Sequence, residues 1–390
     1  MHLIFLLIEF LDELVFGLGD AAWPLIRTDL HLTYAQIGIL LSLPGLLGNL
    51  IEPFLFILGD IWKRRLIILV GGIGFTLACL LTGISTSFLF LLFSFILFNP
   101  SSGAFVSLSQ ATLIDTDESR HEQNMARWTF AGSLGVFLGP LLLGGLITLG
   151  FGWRTGFLAL ASFSTLVLLA AFRLIPTTGA SHADFPTPRA FFDGICSALT
   201  ALKDKAVLRW LILLEFSDLM LDVLYGFLAL YFVDVAGVTP ASAAFAVAIW
   251  TGVGLLGDFL LIPLVERVKG LDYLRVSVIL ELILFPLFLL VNIFWLKLVL
   301  LGLLGFFNSG WYAILKANLF SALPGKSGSA LALDNVSGMF GKLIPFGIGL
   351  AAQTFGLGAA MWLMLAGPVV LFIGLPKRSQ RSQVESHPDL

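Results

Sequence analysis

Twelve times along this chain a run of apolar residues reaches about 20 positions, the length a helix needs to cross a bilayer core of about 30 Å. The runs fall near 3–26, 35–58, 66–85, 88–113, 128–149 and 155–173, and again near 210–233, 241–264, 274–293, 298–320, 330–352 and 358–375. Short polar or glycine-containing connections separate them, and the only long break is 174–209. In lipid every backbone polar group must find its partner within the chain, which makes each run a helix. Composition agrees, with 58% hydrophobic and 12% charged residues; a soluble domain carries roughly 25% charged residues. The expected fold class is an all-α membrane protein with twelve transmembrane helices.

A net charge of −3 says little about partners, and the absence of a basic stripe excludes nucleic acid. Cys79 lies in an apolar run and Cys196 in a hydrophilic stretch, so neither a disulfide nor a thiolate metal site is expected. All five histidines fall outside the apolar runs. Nothing resembles a nucleotide-binding loop or a catalytic triad, so no enzyme activity and no cofactor are expected. The N-terminus lacks a basic leader and a small-residue cleavage site and reads as a retained first helix.

Lys and Arg set the orientation. With both termini in the cytoplasm, seventeen of them lie in cytoplasmic segments, three (Arg27, Arg154 and Lys297) on the other side, and Lys316 and Lys342 within spans. An even number of spans agrees with this placement.

The sequence also repeats itself. An offset of 206 residues carries Glu9-Phe10-Leu11-Asp12 onto Glu215-Phe216-Ser217-Asp218, Thr33 onto Thr239, Gly48 onto Gly254 and Glu52 onto Asp258. The same offset carries Asp60 onto Glu266, Lys63 onto Lys269, Gly132 onto Gly338 and Gly135 onto Gly341. Leu and Ala coincide by chance in so apolar a chain; acids meeting acids carry the argument, because acids are scarce. Two parallel, pseudo-symmetric six-helix bundles follow, related by an axis along the membrane normal. The expected division is 1–174 for the first bundle, 175–209 for a cytoplasmic linker, 210–376 for the second bundle and 377–390 for a cytoplasmic tail. Within the linker, Phe191, Ile195, Leu199 and Leu202 share helical spacing, which predicts an amphipathic helix on the membrane surface.

The connection after the second run reads Leu58-Gly59-Asp60-Ile61-Trp62-Lys63-Arg64-Arg65. It resembles the cytoplasmic loop motif of the major facilitator superfamily, in which a glycine-rich helix end leads to Asp and then to basic residues. Phe56, Ile61 and Lys63 depart from that motif. The fifth run carries Gly132, Gly135, Gly139-Pro140 and Gly144-Gly145, similar to the Gly-Pro motif of the antiporter branch, and Gly152-Trp153-Arg154 precedes the sixth. The resemblance covers the whole chain, and its general look is of bacterial efflux proteins of the fosmidomycin-resistance kind. It implies the major facilitator fold, a bacterial-type cytoplasmic (inner) membrane, a monomer, and a central pathway lined by the first, fourth, seventh and tenth helices. It also implies conformational gating at Asp60, Lys63, Arg64, Arg65, Glu266, Gly139 and Pro140: Asp60 beside its basic cluster can lock one face and release it, and small residues in the fifth span allow close helix approach.

Acids inside the membrane point to function most directly. Glu9, Asp12, Glu13 and Asp20 cover an arc of only about 100° on the first helix, and Glu215, Asp218 and Asp222 about 60° on the seventh. A charged acid at the bilayer centre costs roughly 2.5–3.5 kcal/mol, so these faces must look into a cavity or at partners. Helical rise puts Glu9 about 9 Å into its span and Glu52 about 12 Å from Asp60, with Glu215 and Asp258 expected at the matching level. Asp20 is expected near the outer end, merely solvated. Asn99, Ser102, Asn308, Trp311, Tyr312 and Lys316 are candidate cavity-lining residues. An aromatic wall beside acids suits an organic cation.

The sequence therefore predicts a secondary transporter that works by alternating access and exports small organic cations or amphipathic molecules in exchange for protons. Glu9, Asp12, Glu13, Glu52, Glu215, Asp218, Asp222 and Asp258 are its expected proton- and substrate-binding residues. Three rivals stay open. One is a divalent-metal exporter using Glu9, Asp12, Glu215 and Asp218 as oxygen ligands. The others are a lipid or lysolipid translocator and a non-transporting receptor or scaffold.

Overall fold

The computed structural model describes residues 2–61, 63–115, 121–175, 204–322 and 338–376, and these are almost entirely helical. The first bundle contains α1 (His2–Asp29), α2 (Tyr34–Ile61), α3 (Arg64–Ile84), α4 (Phe88–Ser102), α5 (Leu108–Asp115), α6 (His121–Thr148) and α7 (Trp153–Leu174). A turn of π-helix at Gly103–Ser107 joins α4 to α5, and the two together make the fourth span. The second bundle contains α8 (Lys205–Ser217), a π turn at Leu219–Val223 and α9 (Leu224–Asp234), together the seventh span. It continues with α10 (Pro240–Arg267), α11 (Gly270–Leu290), α12 (Phe294–Asn308) and α13 (Trp311–Ser321), then α14 (Ile344–Phe355), α15 (Leu357–Met361) and α16 (Ala366–Gly374).

Among the described residues, nine helical stretches are long and apolar enough to cross a membrane. The other three expected spans have plain reasons for missing that test. The first bears the acids of α1, the seventh is interrupted and acidic, and α14 has only 12 residues. Large apolar side chains such as Leu89, Phe93, Leu166, Leu290 and Ile373 remain exposed on the outside of the helices, as expected of a surface that meets lipid.

Local chemistry explains where the helices begin and end, and it follows the repeat. Thr33 opens α2 as a capping box: its Oγ1 accepts from the Gln36 amide at 3.2 Å, while the Gln36 side chain accepts from the Thr33 amide at 2.9 Å. Its repeat mate Thr239 opens α10 by accepting from the Ser242 amide at 3.3 Å. Gly150 and Gly356, also 206 residues apart, follow the fifth and eleventh spans with φ of 84° and 85°, a backbone region that costs glycine little. The interruptions correspond as well. The π turn in the fourth span starts at Gly103, and the tenth span breaks at the matching Ser309-Gly310, where Gly310 has φ 73°.

The bundle has two ends. The terminal face carries His2, Lys63 and Pro376; the distal face carries the connections near residues 30–33, 150–152 and 235–239. At the distal face the halves are joined. The Arg27 guanidinium lies 2.8 Å from the Asp234 carboxylate, and the Tyr34 hydroxyl donates to the same carboxylate at 2.8 Å. The Tyr34 amide donates to the Gln353 side chain at 3.1 Å and the Phe346 amide to Ser42 Oγ at 2.9 Å, tying α2 to α14. Within the first bundle, Arg154 pairs with Asp29 and donates to the Ser85 carbonyl, and the Trp153 indole donates to Asp29 at 3.0 Å. The Gly-Trp-Arg motif thus clamps the distal ends of three spans.

Candidate functional site

The acidic face of α1 turns inward along its length. Glu9 and Asp12 are buried, at 8% and 6% exposure, and Glu13 and Asp20 are partly buried. Ser102, at the end of α4, donates to Asp12 at 2.8 Å. Glu9 sits against the fifth span beside Trp128, and a Cβ at Gly132 would stand only 2.6 Å from its carboxyl oxygen. A Cβ at Gly135 would stand 2.8 Å from the Leu14 amide and 2.9 Å from Glu13 Cβ. Glycine at these positions lets α1 lie directly on α6, which brings its acids to the bundle interior without separating the helices.

The second bundle repeats this arrangement with its own residues. Glu215 lies against Gly341, the repeat mate of Gly135, leaving no room there for a side chain. Glu52 fills the space beside Gly103 in the fourth span, where a Cβ would come within 2.6 Å of it, and its mate Asp258 accepts from the Gly310 amide at 3.1 Å. Asn308, the mate of Ser102, is buried and donates to the Met220 carbonyl in the seventh-span π turn at 3.1 Å. The acids expected at matching levels therefore meet matching parts of their neighbours.

Two cavities adjoin these acids. One of about 330 Å³ lies between α1, α5 and α6, lined by Glu9, Glu13, Gln110, Trp128 and Ser133. A second, of about 160 Å³, lies nearer the distal face. Its walls include the rings of Phe16, Trp23, Phe95, Phe98 and Phe157, and its polar groups include Asp20, Asn99 and Lys342. Glu13 lies in the electrostatic field of Asp12, Glu9 and Asp20 on its own helix and of Asp222 from the seventh span. Asp222 acts likewise on Asp20 and on Tyr225, whose ring packs 5.4 Å from Trp250. Asp222 of the second half thus lies within electrostatic reach of Glu13 and Asp20 on α1.

The sequence of residues 5–344 matches the Major Facilitator Superfamily. The chain belongs to that superfamily. It resembles in fold a bacterial homologue of the human lysosomal transporter Spinster, solved inward-facing and unoccupied, with 19% identity and a TM-score of 0.71 over 96% of this chain and 94% of that one. The nucleoside transporter NupG superposes with a TM-score of 0.78 at 13% identity, covering 96% of this chain and 98% of that one. Within this superfamily the chain is a membrane transporter of the alternating-access kind, and not an enzyme.

Several expected positions differ from the structure of this superfamily member. Asp20 is not simply solvated at an end: it lines the smaller cavity and accepts from the Trp23 indole at 3.2 Å. Trp311, expected to line a cavity, points into the bundle core. It is fully buried, its indole donating to Ser277 in the ninth span at 2.8 Å, because the break at Gly310 restarts the helix with that ring turned into the bundle core. Asn308 is likewise buried against seventh-span backbone, whereas Tyr312 is exposed and stacked with Lys316, its ring centroid 4.6 Å from the ammonium. Lys297, counted among the outer charges, is buried and donates to the Tyr231 hydroxyl at 2.7 Å and the Phe288 carbonyl at 2.6 Å.

Of the expected gating residues, Lys63 is exposed between α2 and α3. Arg64 donates to the Gly59 carbonyl at 3.3 Å and Arg65 to the Phe172 carbonyl at 2.5 Å, so both satisfy helix-end carbonyls. Gly139 and Pro140 pack on Gly17 of α1. The side chains of Asp60 and Glu266, the linker residues 176–203 and the tail 377–390 lie outside the described residues.

Four positions stand out only in the structure. Lys342, placed by the sequence only within a span, reaches the smaller cavity beside Gly45. Arg27 and Asp234 form the distal inter-half pair; their repeat partners do not match them, so the repeat gave no signal. Glu281 is fully buried in α11, and neither carboxyl oxygen has a hydrogen-bond partner among the described residues. A lone acid in an apolar run was the signal available for it.

Proposed function

We propose that the chain is a proton-coupled exporter of small organic molecules, cationic or amphipathic, in a cytoplasmic membrane with both termini inside. The observation that carries this reading is the inward-turned acidic face of α1, with Glu9 and Asp12 buried and Glu13 and Asp20 each lining a cavity, within electrostatic reach of Asp222 from the other half. Acids from opposite halves move relative to each other as access alternates, so each conformational state changes the cost of holding them all ionised. A proton or a cationic substrate offsets that cost, and competition between the two couples their movement.

With the termini in the cytoplasm, the joined distal face is the outer one and the conformation faces inward. Orientation rests on the seventeen-to-three distribution of Lys and Arg. The resemblance of the fifth-span glycines and Pro140 to the antiporter-branch motif supports the outward direction of transport. Glu9, Asp12, Glu52, Glu215, Asp218 and Asp258 serve in this scheme as the supporting acids of the two halves. Gating at the terminal face falls to Asp60, Glu266 and the basic cluster at Lys63, Arg64 and Arg65, with Gly139 and Pro140 as a packing hinge.

The test is a proteoliposome assay that follows lumenal pH after addition of organic cations. Wild type is expected to move protons against substrate, and Glu13→Gln and Asp222→Asn to lose that movement while still reconstituting. Undiminished proton-driven transport by both variants would sink the assignment.

A further inference from the structure

The smaller cavity contains an acid and a base at once. Asp20 reaches it from α1, held on one oxygen by the Trp23 indole at 3.2 Å. Lys342 reaches it from just before α14, its stem against Gly45, where a Cβ would come within 3.2 Å of its chain. The two side chains share the cavity and act on each other electrostatically, yet they do not close into an ion pair. Asn99 adds an amide whose nitrogen is already committed to the Phe95 carbonyl at 3.1 Å, which leaves its oxygen available. The rest of the wall is aromatic, with Phe16, Trp23, Phe95, Phe98 and Phe157.

Resting on the reading of this chain as a small-molecule exporter, we infer that the cavity between α1, α2 and α4, reached by Lys342, takes a small aromatic zwitterion. Its ammonium group faces Asp20 and its anionic group faces Lys342. A simple cation would gain Asp20 but meet the Lys342 ammonium; a simple anion would gain Lys342 and meet Asp20. Only a molecule bearing both charges satisfies both residues, and charge-assisted hydrogen bonds of this kind are each stronger than neutral ones. The ring walls favour an aromatic body, with the rings themselves adding attraction for the cationic end. Size sets a limit too. At about 160 Å³ the cavity is below the roughly 300–1,000 Å³ of pockets that hold drug-sized ligands, so a single-ring compound is the class it accommodates.

Calorimetric titration of the purified full-length protein tests this with four single-ring probes. L-phenylalanine and 4-(aminomethyl)benzoate are zwitterions with adjacent and separated charges, benzylamine is a cation, and benzoate is an anion. At least one zwitterion is expected to bind about tenfold or more tighter than either singly charged probe, roughly the effect of one charge-assisted contact. Lys342→Gln is expected to abolish the advantage over benzylamine, and Asp20→Asn the advantage over benzoate. Each variant keeps binding one probe class, which shows that it is folded. Benzylamine binding as tightly as both zwitterions, preferences unmoved by Lys342→Gln, or no binding of any probe at millimolar concentration would each overturn the inference. The proteoliposome assay separates the two readings. Proton release by organic cations without zwitterion binding sinks the cavity assignment alone, whereas zwitterion binding without any proton movement sinks the coupling.

Discussion

Glu281 and Asp12 are both buried acids, and they differ in what they touch. Asp12 accepts from Ser102 at 2.8 Å, while both oxygens of Glu281 lack a hydrogen-bond partner among the described residues. Burying a polar group without a partner costs about 1–3 kcal/mol on the mutational scale. Replacing Glu281 with Met, an apolar side chain of similar length, is therefore expected to raise the melting temperature of the purified protein. The gain should amount to about 1–3 kcal/mol, read by thermal unfolding in one detergent, and a drop in Tm would show that the carboxyl has a stabilising partner. The acids of α1 were legible in the sequence because four of them fall on one helical face. Glu281 was not, since a single acid has no periodicity to reveal which way it points. For Trp311 the position mid-span is visible in the sequence, but the break at Gly310 that decides its direction is not.

Among the elements, the contact of α1 with α6 does most to set the acids in place. Gly132 and Gly135 face Glu9, Phe10 and Glu13 with no room for a side chain, whereas a Cβ at Gly145 in the same helix would meet nothing within 4 Å. Gly135→Val is thus expected to destabilise the protein by about 1–3 kcal/mol through overpacking, and Gly145→Val to leave stability nearly unchanged. Comparing the two by thermal unfolding removes any general effect of β-branching in the helix. Equal losses would mean that the α1–α6 contact does not depend on these glycines. The glycine spacing was visible as a packing signal; its partner was not, because spacing on one helix carries no information about which neighbour it meets. The irregular turns in the fourth, seventh and tenth spans were equally hidden. Pro100 lacks an amide hydrogen and so removes a helical hydrogen bond before the fourth-span break, but no proline lies within the seventh-span turn Leu219–Val223.

For the molecule as a whole, the distal face decides which conformation is held. Arg27, Asp234 and Tyr34 join the halves there, with the Arg27 guanidinium also 4.3 Å from the centre of the Tyr34 ring. The pair is partly exposed, at 30% and 20%, so solvent screening limits it to about 1 kcal/mol or less. Asp234→Asn is expected to shift the population toward a state open at the distal face by up to about fivefold, since RT is about 0.6 kcal/mol. Spin labels at Ala35 and Thr354 would report it as growth of a longer-distance component. An unchanged distance distribution would assign the closure to the α2–α14 backbone contacts.

What the sequence determined by itself was the count of spans, the two-fold repeat and the faces on which acids lie. These depend on hydrophobicity and helical period, both of which are local properties of the chain. The tertiary structure alone decided that Asp20 and Lys342 share a cavity and that Arg27 meets Asp234. It also decided that Trp311 and Lys297 are enclosed. Such meetings join residues up to some 320 positions apart, and they depend on helix breaks and on close approach at glycines. No periodicity along a single helix records them.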